Sequence, residues 1–379
     1  MRVALDLRGL NYRSFTGINN YTLRLLKHLP VRSGGVAIEY TCLGLTSEAR
    51  THLCTLLPRY KDANFLSMAQ YYRSPLHRHG TLSSALSVLA QRRTSFNEAC
   101  EHFDYLLLPQ PKAIQLHPKT RLVTVFHDLF GVRHPEFLSP RHRLVENLGI
   151  YKRLGEASYR CLVNSYATGY DLEKHAGVDA EKITLNYPAD LNPDLPDDLP
   201  RLHPRPYFLA VSAIEPRKNW LNLIAAYQTF AADNPGTDLV LLGHPVSAKY
   251  LREVRAAIAK YPNIHLHLEV DEFTKARYLR HATALLYPSF YEGFGFPILE
   301  AHRYGVPVVT SRISSMPEIA GAGATYVNPF RVEEITAALN ILTDDEKYHH
   351  LLQGNARRNY ICFGWGNFAA GLTSTLTER

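Results

Sequence analysis

Two doubly wound α/β domains, each a parallel sheet covered by helices on both faces, are the fold class this sequence predicts. Three observations carry it. Short apolar runs alternate with amphipathic segments along nearly the whole chain. A stretch rich in Pro and Asp, "NYPADLNPDLPDDLPRLHPRP" (186–206), breaks the alternation near the middle. Beyond it the alternation resumes. The 379 residues exceed one small core, and 46% hydrophobic with 20% charged residues describes a globular chain.

In the first half, strands are expected at "RVALDLR", "VAIEYTCLG", "YLLLPQ", "LVTVFHD", "CLVNS" and "ITLNYP", with helices near 17–29, 140–157 and 166–176. The second half places strands at "YFLAVSA", "DLVLLGH", "IHLHLEV", "ALLYPS" and "PVVTS". Its helices are expected near 218–232, 247–260, 274–281, 297–304, 332–342 and 344–360. A last amphipathic helix is expected over 366–377. The domain reading is 1–195, 196–363, and a closing helix within 364–379. Two such units facing one another would take a ligand between them, at the C-terminal ends of their strands.

Met1 runs almost at once into a strand, and no apolar run approaches the roughly 18 residues of a membrane span, so a cytoplasmic protein without a leader is expected. Five scattered cysteines without CxxC fit a reducing compartment and argue against a disulfide framework. Charge is uneven. Residues 1–160 hold 22 Lys+Arg against 11 Asp+Glu, and the remainder 20 against 24, which gives +11 and −4 and sums to +7. Residues 50–93 carry seven Lys/Arg and one acid, a balance that favours an anionic partner such as a lipid headgroup or a diphosphate.

The most informative stretch is "PSFYEGFGFPILEAHRYGVPVVTS" (288–311). An apolar strand enters a glycine turn, and Pro297 then opens a helix. Gly293 and Gly295 let the backbone approach a ligand closely, and the helix N-terminus that follows favours an anion. Glu292 would repel a phosphate but suits a sugar hydroxyl, and Glu300, one turn into the helix, suits a vicinal diol such as a ribose. Arg217 and Lys218, in "VSAIEPRKNW", sit where a strand hands over to a helix and can neutralise a departing diphosphate. Taken alone, Arg-Lys-Asn is more often a solvated helix start. His127, in "TVFHDLF", ends an apolar strand and could donate to a substrate or move a proton. Gly17, in "NYRSFTGINNY", opens a helix after the first strand. No Asp-x-Asp occurs, and no His/Cys cluster has metal-ligand spacing, so no metal is expected.

These residues resemble glycosyltransferase family 4, retaining transferases of the two-domain GT-B fold. The likeness rests on the glycine opening the first helix, "HD", "PRKN" and "EGFGFPILE", in that order along the sequence, and spans nearly the whole chain. It implies that Glu300 holds the donor ribose, Glu292 binds sugar hydroxyls, the amides of Gly293, Phe294, Gly295 and Phe296 meet the sugar and phosphates, and Arg217 and Lys218 bind the diphosphate. It also implies that His127 touches the transferred sugar, that Gly17 faces the phosphates, and that the last helix crosses back onto the first domain. "TGINNY" departs from the family pattern, with one glycine where many members carry two. The implied function is metal-independent transfer of a hexose, mannose from a GDP-sugar or a relative of it, in surface-polysaccharide assembly of the O-antigen kind. The acceptor would be a glycan or a polyprenyl-diphosphate-linked glycan, met at the inner face of the cytoplasmic membrane through the basic first half. A UDP-hexose donor, or a sugar-nucleotide epimerase on the same fold, are the alternatives. A basic nucleic-acid-binding protein would explain the charge, but the neutral-to-acidic second half argues against nucleic acid as partner.

Overall fold

The computed structural model describes residues 1–8, 10, 17–33, 35–66, 102–112, 119–138, 143 and 149–378. Two compact units emerge: Met1–Pro188 with Trp365–Arg379, and Ala189–Gly364.

In the first unit the core sheet comprises β1 (Arg2–Asp6), β4 (Glu39–Leu43), β5 (Asn64–Leu66), β6 (Tyr105–Leu108), β7 (Arg121–Phe126), β8 (Arg160–Val163) and β9 (Ile183–Leu185). Its order is β5-β4-β1-β6-β7-β8-β9, and every neighbouring pair is parallel. A separate antiparallel ribbon joins β2 (Arg32–Ser33) to β3 (Val36–Ala37). All four residues of β6 are buried, as expected of a strand covered on both faces. The apolar core sets Leu106, Leu108, Leu122 and Phe126 of the sheet against Leu154, Leu172 and Val178.

Among the described residues, the longer helices of this unit before the break are α1 (Gly17–His28), α2 (Ser47–Leu56), α3 (Ile150–Ala157) and α4 (Tyr166–Ala176). Their ends are encoded locally. Ser165 accepts the Thr168 amide at the start of α4, and Gly177 ends it in the left-handed region at φ 67°. Two expectations change here. "VAIEYTCLG" splits at Ile38, whose amide bonds the Val31 carbonyl, so that only β4 joins the sheet. The helix expected over 140–157 is seen as α3 from Ile150, preceded by Gly149 at φ 65°; most of 140–148 lies outside the described residues, as do residues 67–93 of the basic segment. Both β5 and α2 escaped the sequence reading, β5 because three edge residues carry no periodic signal.

In the second unit the sheet contains β10 (Tyr207–Ile214), β11 (Asp238–Pro245), β12 (Ile264–Leu268), β13 (Ala284–Tyr287), β14 (Val308–Ser311) and β15 (Ala324–Val327). The order β12-β11-β10-β13-β14-β15 is fully parallel. Its helices are α5 (Trp220–Asp233), α6 (Ala248–Ile258), α7 (Glu272–His281), α8 (Phe296–His302), α9 (Met316–Ala320), α10 (Val332–Asp344) and α11 (Glu346–Tyr360). Trp220, Tyr227 and Phe230 of α5 pack with Phe208, Leu239 and Leu339 in one apolar cluster. Counted from β10, the strand order is 3-2-1-4-5-6, so direction reverses between β10 and β13; in open α/β sheets, ligands bind at that reversal.

The last helix, α12 (Trp365–Thr377), packs within the first unit. Phe368 meets Tyr21 edge-on at 5.8 Å, and Asn186 Nδ2 donates to the Phe368 carbonyl. The boundary expected at 195/196 moves to 188/189. Asp190 explains the shift: its carboxylate accepts from Arg303 at 3.1 Å and from the Tyr360 hydroxyl at 2.7 Å, both in the second unit. Among the described residues no helix is long and apolar enough to cross a membrane.

Candidate functional site

Two loops leave the C-terminal ends of β10 and β13 at the reversal point of the second sheet, and they are stitched together. The first is the turn Glu215–Asn219, where Asn219 sits in the left-handed region at φ 60° and caps α5. Its buried amide donates to the carbonyls of Pro288 (2.9 Å) and Pro329 (2.7 Å). The Phe290 amide bonds the Arg217 carbonyl at 2.9 Å, and Arg217 Nη1 bonds the Tyr291 carbonyl at 2.9 Å. These contacts hold the cation-bearing turn against the glutamate-bearing loop.

The charged side chains meet in one cluster. Glu292 Oε1 takes Lys218 Nζ at 2.6 Å and its Oε2 takes Arg217 Nη1 at 3.0 Å, while Arg217 Nη2 also reaches Glu215 Oε1 at 2.7 Å. Lys218 Nζ further contacts the Tyr287 hydroxyl at 3.2 Å. Two cations and two carboxylates cancel formally. Burial works against the Glu292 charge, but Lys218 and Arg217 overcome it and hold the carboxyl down at about 2. Burial and the neighbouring Arg217 pull the Lys218 ammonium below its usual range, although Glu292 opposes them. The two oxygens of Glu292 are thus divided between the two cations, one on each. The expectation that Glu292 serves hydroxyls alone is therefore widened: it is also the counter-ion of the cation pair.

The glycine turn takes the form required for close backbone approach. Gly295 caps α8 at φ 99°, and a Cβ there would lie 3.0 Å from Ile298 Cδ1, so a side chain would be strained twice. Helix α8 begins at Phe296, one residue before the expected Pro297 start. Gly293 and Phe294 lead into this turn, and the amides of Phe294 and Gly295 donate to no acceptor among the described residues. Ser315 supports the loop from behind, its hydroxyl 2.9 Å from the carbonyls of both Glu292 and Phe294. Ser314, in the left-handed region at φ 57°, also bonds the Glu292 carbonyl.

Glu300 is buried within α8, and its Oε1 binds Lys275 Nζ at 2.9 Å; the same ammonium takes Glu272 at 2.7 Å. One cation thus serves two carboxylates. Burial pushes the Glu300 carboxyl up, with Lys275 pulling against it. For Lys275 burial is outweighed, and the two carboxylates raise the ammonium above its usual range. Oε2 of Glu300 makes no hydrogen bond among the described residues.

In the first unit, His127 follows β7 with its ring edge-on to Tyr21 at 4.6 Å. Its Nε2 lies 2.7 Å from the Pro109 carbonyl; a carbonyl only accepts, so Nε2 carries the proton. Burial lowers the ring's pKa and keeps it neutral, which leaves Nδ1 as an acceptor and not the donor the sequence reading allowed. Asp128 caps the following turn by accepting the Phe130 amide at 3.1 Å. Gly17 opens α1 and is exposed; residues 11–16 before it lie outside the described residues.

The sequence reading missed Glu215, Lys275, Ser314 and Ser315. Glu215 carries a usable signal, two positions before Arg217 in "EPRKN". Lys275 carries none, because its partner is 25 residues away. It also missed the pair at the end of β1, where Arg8 Nε bonds both oxygens of the buried Asp6 at 2.9 Å.

Two Rossmann-like parallel sheets, the second bearing a cation pair and a glycine turn at its reversal point, give this chain a fold of the GT-B kind. Residues 193–359 match the family described as glycosyl transferases group 1, and the chain carries that domain within its second unit. It is similar to O-antigen chain mannosyltransferase B of Escherichia coli, 28% identical over 386 aligned residues that span 97% of each chain. Over 169 residues it is 31% identical to the O-antigen chain mannosyltransferase RfbU of Salmonella typhimurium, covering 44% of this chain and 46% of that one. Among solved structures, Anabaena HepE in complex with UDP and glucose shares the fold, with a TM-score of 0.70 at 18% identity over 100% of this chain and 99% of that one.

Proposed function

We propose that this glycosyltransferase moves a hexose, mannose from GDP-mannose or a closely related GDP-hexose, with retention of configuration and without a metal ion. The acceptor is a glycan or polyprenyl-diphosphate-linked glycan of the O-antigen kind. The mannose assignment draws on the similarity to O-antigen mannosyltransferases. The observation that carries the mechanism is the Lys218–Glu292–Arg217 cluster.

In this reading the anomeric C–O bond breaks and its electron pair leaves with the diphosphate. Lys218 and Arg217 meet the growing charge, so protein cations do what a divalent ion would otherwise do. The amides of Phe294 and Gly295 add uncharged donors to the same group. Glu292 accepts from sugar hydroxyls while keeping both cations in place. Glu300 takes the ribose diol through Oε2, and His127 accepts a sugar hydroxyl at Nδ1. The acceptor hydroxyl attacks the face from which the diphosphate departs, and its proton passes to the leaving phosphate.

Incubation with GDP-mannose, UDP-glucose and related donors in the presence of chelator tests this directly. Free GDP from GDP-mannose, with an α-linked product, is expected. Release from UDP-sugars alone would overturn the donor assignment. A new sugar nucleotide without free diphosphate would make the protein an epimerase. Glu300→Ala should raise the donor KM roughly 10-fold or more, as for a lost charge-assisted hydrogen bond, with a smaller change in kcat. Unchanged donor affinity would remove the ribose role.

A further inference from the structure

At the opposite end of the second sheet, where its parallel strands begin, three side chains that sequence spacing hides come together. His203 lies in the segment leading into β10, Asp238 is the first residue of β11, and His265 is the second residue of β12. We propose that His203, Asp238 and His265 form a binding site for a divalent cation of the zinc class, one that ties the linker segment to the start of the sheet.

Geometry carries the proposal. Nε2 of His203 lies 2.8 Å, and Nε2 of His265 3.2 Å, from the same oxygen, Asp238 Oδ2. The three ligand atoms all fall within 4.8 Å of one another. Tetrahedral zinc with bonds of about 2.0–2.1 Å keeps its ligand atoms about 3.3 Å apart. Separations of 2.8 and 3.2 Å therefore need to open by only a few tenths of an ångström. Without an ion, both imidazoles donate Nε2–H to Oδ2; a bound ion would instead take the Nε2 lone pairs, with the ring protons at Nδ1.

Chemistry and surroundings agree with this donor set. Two imidazoles and one carboxylate suit zinc, cobalt or nickel, whereas calcium and magnesium prefer all-oxygen cages. The groups are braced from behind: Asp238 Oδ1 faces Arg205 Nη1 at 3.0 Å, and the His203 ring stands edge-on to Tyr207 at 5.3 Å. The Arg205 charge opposes a dication, which places the expected affinity below that of a thiolate site. Asp238 is 3% exposed and His203 11%, but His265 is 35% exposed, so one side is open to ion entry and to a water as fourth ligand. His267, two residues further along β12, projects from the same strand face. The eight residues of β10, at about 3.3 Å each, separate this cluster from the Lys218 turn, so the ion would not touch the transferred sugar.

The test uses the full chain, free of added histidine tags and stripped with chelator, titrated with Zn²⁺ by calorimetry and by thermal unfolding. One equivalent should bind and raise Tm, and Co²⁺ should produce the visible absorption of a four-coordinate His/carboxylate site. His265→Gln, at the most exposed ligand, should weaken Zn²⁺ binding at least 10-fold and abolish the Co²⁺ spectrum while leaving donor turnover unchanged. His203→Gln should do the same. No Zn²⁺ binding below millimolar concentration, or equal binding by both variants and the parent, would overturn the site.

Discussion

Replacing Lys218 by alanine should lower kcat by about 10² or more while the donor KM moves far less. The ammonium is buried, 2.6 Å from Glu292 and 5.4 Å from the centre of the Tyr287 ring, so little water screens it. A preorganised charge in such a place costs no reorganisation when negative charge grows on the departing group. Removing one such donor typically costs about 2.7–4 kcal/mol of transition-state stabilisation. Interactions that strengthen only in the transition state appear in kcat, and equal binding of ground and transition states appears in KM. A raised KM with kcat intact would turn Lys218 into a ground-state ligand of the donor. Because Arg217 remains on Glu292, the variant should stay folded, and its Tm separates lost chemistry from lost structure.

Glu292→Gln should be the most destabilising single change at the site. It leaves Lys218 beside Arg217 with only Glu215 as an acidic partner, an uncompensated buried charge. The direction with pH follows from linkage. Glu292 titrates at about 2 in the folded chain against 4.5 for the ordinary carboxyl, so its contribution is present above about 4.5 and lost as the pH falls toward 2. The difference of pKa corresponds to an order of ~3 kcal/mol. Urea unfolding of parent and variant from pH 7 downward should show a gap that is constant to about pH 5 and then narrows. A gap that keeps its size into the acid range would mean that the Glu292 charge does not stabilise the fold. Turnover should fall as well, because the hydroxyl acceptor weakens and the cation pair loses its brace.

Much of the site could be read in the linear chain. "EGFGFPILE" is legible because a glycine turn, a helix start and two acids fall within nine residues, where backbone geometry relates them without tertiary information. "PRKN" is legible for the same reason, since a strand-to-helix turn must point its side chains off the strand end. What those side chains bind is another matter. Glu292 joins Lys218 across 74 positions, and Glu300 joins Lys275 across 25. His127 illustrates the limit in a different way: the strand end marks the residue, but the Pro109 carbonyl sets its tautomer and reverses donor to acceptor.

By itself, the sequence determined the α/β class, the two-unit plan and most element boundaries, because apolar period, caps and turn residues act over a few neighbours. It also marked the loops at the reversal of the second sheet. Only the tertiary structure decided the boundary at 188/189 and the ion pairing that makes Glu292 a counter-ion. Only there do His203, Asp238 and His265 become neighbours. A parallel sheet pairs strands whose connections run through whole helices, so groups brought together across it leave no short-range trace in the chain.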